Sequence, residues 1–177
     1  MDKIVVLDFG SQLTQVITRK VREIGVYCEI LPFNVSKERL LEANPKGIIL
    51  SGGPESTYEE NSPQLSPFIL EMGVPVLGIC YGYQILCKVF GGKISNSETG
   101  EFGKTTINVL EGNALLPKQW GVGSPHTVWM SHRDNVERLP EEFTLLAESE
   151  NDICAAMAHK VLPIYGVQFH PEVSHTH

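Results

Sequence analysis

The chain has 177 residues, 42% hydrophobic and 20% charged, and its 14 basic against 21 acidic side chains give a formal net charge of -7. That mix suits one globular domain with a real core, and the absence of a basic run that could follow a phosphate backbone argues against a nucleic-acid partner. The apolar runs are strand-sized, which argues against a membrane span, and "MDKIVVLDFG" lacks the basic and long apolar regions of a signal peptide, so a cytoplasmic protein is expected. Cys28, Cys80, Cys87 and Cys154 are then expected as reduced thiols, and no C-x-x-C pair suggests a zinc ribbon or a thioredoxin-type site.

In chain order, short β-branched runs alternate with helical patterns. "KIVVLDF" is followed by a helix from Gln12 to Ile24, "VYCEIL" by a helix from Ser36 to Ala43, and "GIILS" by a proline-punctuated helix near Leu65 to Met72 before "VPVLGI". Ser11 and Ser36 are placed to cap the first two helices, Gly25 to close the first, and Asn44 before Pro45 to end the second. Runs such as "KIVVL" and "GIIL", without polar alternation, suit parallel strands covered on both faces. After residue 92 the rhythm changes to short strands separated by turns: "KISN", "TTINVL", "TVWMSH", "FTLLAES", "CAAMAH" and "IYGVQF". The expected class is α/β: a three-layer open, mostly parallel sheet with helices on both faces and a smaller antiparallel strand addition in the second half. Ligands of such a sheet sit at the carboxyl ends of its strands.

Three stretches fall at those ends: "SGGP" at 51–54, "GICYG" at 78–82 and "FHPE" at 169–172. "GICYG" has the G-x-nucleophile-x-G form of a strained strand-to-helix elbow, where side chains two residues either side of the nucleophile would crowd the turn. The elbow sets the Cys80 sulfur at a helix N-terminus, which favours a thiolate. The same residues also suit a buried structural cysteine beside a tight turn. In "HPE", His170 can act as base and then acid, with Glu172 to hold the imidazole tautomer, because residues two apart on an extended segment project to one side. Alone, this stretch also reads as a surface loop. "SGGP" can bring a backbone N–H to a reacting carbonyl, or imitate an ATP-pyrophosphatase loop, or be a plain turn.

Taken together, these residues resemble the class I glutamine amidotransferases, and within them the GMP synthetase branch. The resemblance covers essentially the whole chain in order: "LDFGSQ" at 7–12, "REIGVYCEILP" at 22–32, "GIILSGGP" at 47–54, "GICYGYQ" at 78–84, "VWMSHRD" at 128–134 and "GVQFHPEVSHT" at 166–176. It implies that Cys80 attacks the side-chain amide of glutamine, that His170 and Glu172 complete the catalytic set, and that Gly53 and Tyr81 supply oxyanion N–H groups. It further implies that Gln84, Ser131, Arg133 and Asp134 contact the α-amino acid end of glutamine. It implies no cofactor in this domain; ATP and magnesium belong to an ATP-pyrophosphatase domain that takes the ammonia and aminates xanthosine monophosphate.

Two departures stand out. The family usually reads S-H-G-D where this chain has "SHRD", so Arg133 replaces a glycine beside the expected substrate. The chain also stops at "HPEVSHTH", so residues 1–177 are expected to be one amidotransferase domain excised from a longer enzyme, without its ATP-pyrophosphatase and dimerisation domains. His175 and His177 are read as terminal histidines and no metal is assigned. His126, His132 and His159 are read as structural, with His132 near the site only by the resemblance, and Trp120 and Trp129 as packing residues or surface covered by a partner domain. Two other functions fit the motifs: a cysteine hydrolase of the same fold acting on peptide or γ-glutamyl substrates, and a non-catalytic binding module.

Overall fold

The computed structural model describes residues 2–53, 62–96 and 100–173. Its first half alternates strands and helices: β1 (Lys3–Asp8), α1 (Thr14–Glu23), β2 (Tyr27–Pro32), α2 (Lys37–Ala43), β3 (Gly47–Leu50), a 3-10 helix (Pro67–Glu71), β4 (Val76–Ile79) and α3 (Tyr81–Val89). Strands β5 (Lys93–Ser95), β6 (Glu101–Val109), β7 (Pro125–His132), β8 (Asn135–Arg138), β9 (Phe143–Ser149), β10 (Cys154–His159) and β11 (Ile164–Val167) follow. Nine of them form one sheet in the order β2-β1-β3-β4-β11-β10-β9-β6-β7, and β5 pairs with β8 apart from it.

The strands from β2 to β11 in that order are parallel. The remaining four run antiparallel and extend the same sheet. The last strand of the chain therefore inserts beside β4, with Gly78 opposite Gly166 and Ile79 opposite Val167. Both faces of the parallel half are buried, as its unbroken apolar runs require. Val5 and Leu7 pack on one side with Leu40, Ala43, Ile85 and Leu86 of α2 and α3. Val6 packs on the other side with Ile17 of α1. Helices on both faces make this the three-layer α/β architecture that the sequence predicts.

Local differences from the sequence reading have physical causes. Ser36 caps α2 by accepting from Arg39 N, and Asn44 ends that helix in the left-handed region at φ 49°. Gly25 follows α1 with φ 84°. Ser11, however, does not cap α1: its Oγ accepts from Leu13 N, two residues on, and the helix begins only at Thr14 without a side-chain cap. The helix expected near Leu65 to Met72 is a 3-10 turn started by Pro67. The short strand β8 has no counterpart in the sequence reading.

Candidate active site

Three adjacent parallel strands, β3, β4 and β11, deliver the three motifs to one edge. The backbone of Cys80 hydrogen-bonds across that edge, its N–H donating to the Val167 carbonyl at 2.9 Å. Cys80 itself has φ 54° and ψ -105°, a conformation that costs on the order of 1–3 kcal/mol in a residue with a side chain. The surroundings hold it there. A Cβ on Gly78 would lie 2.6 Å from Gly82 O, and one on Gly82 would lie 2.5 Å from Leu50 O, so only glycine lets α3 turn back this tightly over β3 and β4. Helix α3 then starts at Tyr81 and directs its N-terminal dipole at the sulfur.

Residues 168–172 continue from β11. The His170 N–H donates to the Trp129 carbonyl at 2.9 Å. Its Nδ1 lies 2.7 Å from Glu172 Oε1, and both side chains are buried. Nε2 is the ring nitrogen left to face the cysteine. Burial alone would depress the imidazole, but hydrogen bonds and opposite charge from Cys80 and Glu172 outweigh it and raise the group from 6.5 to about 10. The site thus favours an imidazolium between a carboxylate and the sulfur. Burial pushes the thiols of Cys28, Cys87 and Cys154 up instead, which keeps them protonated and inert.

The loop after β3 supplies the opposite wall. A Cβ on Gly53 would lie 2.7 Å from Tyr81 Cγ, so the two residues expected to hold an oxyanion are in direct contact. Gly52 lies beside His170 and Ser11, and Ser51, fully buried, accepts from Phe9 N through its Oγ. Pro54 of "SGGP" and the terminal residues 174–177, with His175 and His177, lie outside the described residues. Among the described residues no cluster of three or more His, Cys, Asp or Glu side chains could hold a metal.

The segment 131–134 reaches the site by a route invisible in the motifs. Strand β7 is the edge strand, five places from β4 in the sheet order, yet the Cys80 thiol donates to the Ser131 carbonyl at 3.5 Å. The antiparallel half therefore curls back over the end of the parallel half. Arg133 is exposed, and its backbone is not among the described non-glycine residues with positive φ, so replacing the usual glycine brings no strain. Asp134 is buried, and its carbonyl accepts from Gln84 Nε2 at 2.9 Å and from His132 Nδ1 at 2.7 Å. The other amide hydrogen of Gln84 goes to Gln168 Oε1 at 3.1 Å.

Sequence reasoning gave no site role to four members of this network, His132, Glu101, Asn151 and Gln168. His132, read as structural, is buried against Glu101 with Nε2 2.8 Å from Oε1, and Asn151 donates to Glu101 Oε2 at 2.7 Å. Burial alone would raise the Glu101 carboxyl; hydrogen bonds from His132, Asn151 and Ser149 outweigh it and hold it below its ordinary value. Gln168 is fully buried, with Nε2 3.6 Å from Cys80 Sγ. Its signal was the polar residue inside "GVQF", an otherwise apolar run that leaves the end of β11.

The chain is similar to known proteins over nearly its whole length. The family model described as glutamine amidotransferase class-I matches residues 5–177. The chain is 51% identical over 173 residues to a glutamine-hydrolysing GMP synthase of Caldicellulosiruptor saccharolyticus, covering 98% of this chain and 33% of that protein. It is 49% identical to the GMP synthase of Clostridium tetani, again covering 98% of the chain and 33% of the relative. The chain spans about a third of the length of the curated relatives it matches. The solved structure of a candidate GMP synthase subunit from Thermoplasma acidophilum superposes with TM-score 0.83 at 34% identity, covering 99% of this chain and 87% of that one. A glutamine amidotransferase structure from Thermotoga maritima shares the fold, with TM-score 0.74 at 23% identity over 97% of this chain and 76% of that one.

Proposed function

We propose that this chain, which belongs to the glutamine amidotransferase class-I family, hydrolyses L-glutamine to glutamate and ammonia through a thioester on Cys80. The observation that carries the reading is the left-handed Cys80 on its glycine-bounded elbow, facing an imidazole that Glu172 holds at 2.7 Å.

In this reading the Cys80 proton passes to His170, and the thiolate attacks the glutamine side-chain carbonyl. The developing oxyanion is received by the N–H groups of Gly53 and Tyr81. His170 returns the proton to the leaving nitrogen as the γ-glutamyl thioester forms, then takes a proton from the water that cleaves it. Glu172 keeps Nδ1–H on the carboxylate side throughout, so Nε2 is always the atom that exchanges protons. Ser131, Arg133 and Asp134 bind the α-amino acid end of glutamine, largely through backbone groups. With both N–H groups of Gln84 spent inside the protein, its proposed contact with substrate falls to Oε1.

The match to one third of longer GMP synthases supports a wider role. The ammonia is handed to an ATP-pyrophosphatase domain or subunit that aminates xanthosine monophosphate to GMP, and the protein works in the cytoplasm. Among the described residues no helix is long and apolar enough to cross a membrane. Ammonia release from glutamine, with and without the synthetase half and its nucleotide substrates, tests the proposal. Cys80→Ala should abolish glutamine-dependent amination and retain amination from free ammonia. Glutamine-dependent activity retained in that variant would refute it.

A further inference from the structure

We propose that Gln168 is a further catalytic residue of this site: its side-chain amide donates to the Cys80 sulfur and favours the thiolate over the thiol. The inference rests on Cys80 being the nucleophile, and its argument is the direction in which the buried hydrogen bonds must run.

The orientation of the Gln168 amide follows from its neighbours. The Asp134 carbonyl can only accept, so Gln84 turns its nitrogen toward it. The second hydrogen on that nitrogen meets Gln168 Oε1 at 3.1 Å, which leaves Gln168 Nε2 turned to the sulfur at 3.6 Å. The backbone of Gln168 is tied as well, its N–H donating to the Ala155 carbonyl at 2.9 Å. The Asp134 carbonyl is fixed in turn by His132, which Glu101 and Asn151 hold from behind. One line of hydrogen bonds thus runs from the exposed Asn151 through buried groups to the nucleophile.

Besides His170, the sulfur therefore has two partners of opposite kind. The Ser131 carbonyl, at 3.5 Å, only accepts and can pair only with the thiol S–H. The Gln168 amide donates and pairs best with the anion, because hydrogen bonds to charged groups are the stronger ones. When the proton leaves for His170, the bond to Ser131 is lost and the bond from Gln168 strengthens. The thiol is held ready by one partner and the thiolate by the other. Gln84, named from the sequence for substrate binding, becomes a positioning residue for this amide.

The test is the pH profile of Cys80 alkylation by iodoacetamide, read by peptide mass mapping in the protein that carries this chain. Gln168→Met keeps the length of the side chain and removes the donor. The expected result is an apparent thiol pKa higher by about one unit and alkylation at neutral pH slower by about tenfold, with kcat for glutamine falling more than KM rises. An unchanged profile in the folded variant overturns the inference. Should Gln168→Met not fold, Gln84→Met, which frees the Gln168 amide to turn, must shift the profile in the same direction, and no shift overturns it equally. Wild-type Cys80 that reacts only above about pH 8.5, like an ordinary thiol, refutes the nucleophile itself. A reactive wild type with an unshifted variant refutes the role of Gln168 alone.

Discussion

Alanine at position 82 tests whether the shape of the elbow, beyond its cysteine, is required. The added Cβ would sit 2.5 Å from Leu50 O, 2.7 Å from Leu50 Cβ and 2.9 Å from Leu50 C. Ordinary contact begins near 3.4 Å, so α3 and the end of β3 must separate by about 1 Å. The obstructing atoms include backbone in a central parallel strand and cannot swing aside as a long side chain would. The cost belongs at the upper end of overpacking, about 3 kcal/mol, which lowers the melting temperature of a chain this size by roughly 6–12 °C. The same separation moves Tyr81 N–H and the sulfur away from the loop at Gly53, and a displacement of about 1 Å can reduce turnover about a hundredfold. Gly112→Ala is the control: no atom lies within 4 Å of its Cβ, and its stability should change by less than about 0.5 kcal/mol. Differential scanning calorimetry and ammonia release would measure both effects. A Gly82→Ala protein that melts within about 2 °C of wild type and hydrolyses glutamine at full rate would refute the steric account of the elbow.

The remaining predictions concern the imidazole. Because the folded state raises His170 from 6.5 to about 10, the protonated form contributes stability that is complete below pH 6.5 and lost as pH rises through about 10. Unfolding free energy measured in denaturant should decline over that window, and in Cys80→Ser, which removes a partner of the imidazolium, the decline should be complete at lower pH; a flat wild-type profile would contradict the pairing. Glu172→Gln should lower kcat for glutamine by about 10²–10⁴ with little change in KM, since an amide can present N–H to Nδ1 and impose the wrong tautomer. Only Oε1 of Glu172 has a partner, as Oε2 is buried without one among the described residues, so Glu172 orients His170 through a single bond. A kcat within about threefold of wild type would show that Glu172 does not orient the histidine.

The parallel half of the fold was legible because burial on both faces leaves "KIVVL" and "GIIL" as apolar runs that few other structures tolerate. Gly78 was legible because the backbone that excludes its Cβ, that of Gly82, is within five residues of sequence; Gly82 is crowded by Leu50 of β3, a long-range contact, and only the elbow pattern marked it. Ser11 misled because a hydroxyl can spend itself on a turn just before a helix as readily as on the helix. The curl that brings Ser131 to Cys80 could not be read: it arises from the pairing order of β10, β9, β6 and β7, which is long-range and carries no local signature. Gln168 shares that fate. A glutamine just past a strand gains meaning only when its neighbours fix which end of the amide faces the sulfur.

The central claim is that Cys80 is the atom that meets the glutamine amide, and covalent trapping tests it most directly. An electrophilic glutamine analogue incubated with the protein, followed by peptide mapping, should label Cys80 stoichiometrically, and free glutamine should protect it. Label on Cys28, Cys87 or Cys154 with Cys80 untouched, or no label in a protein that still releases ammonia from glutamine, would contradict the account.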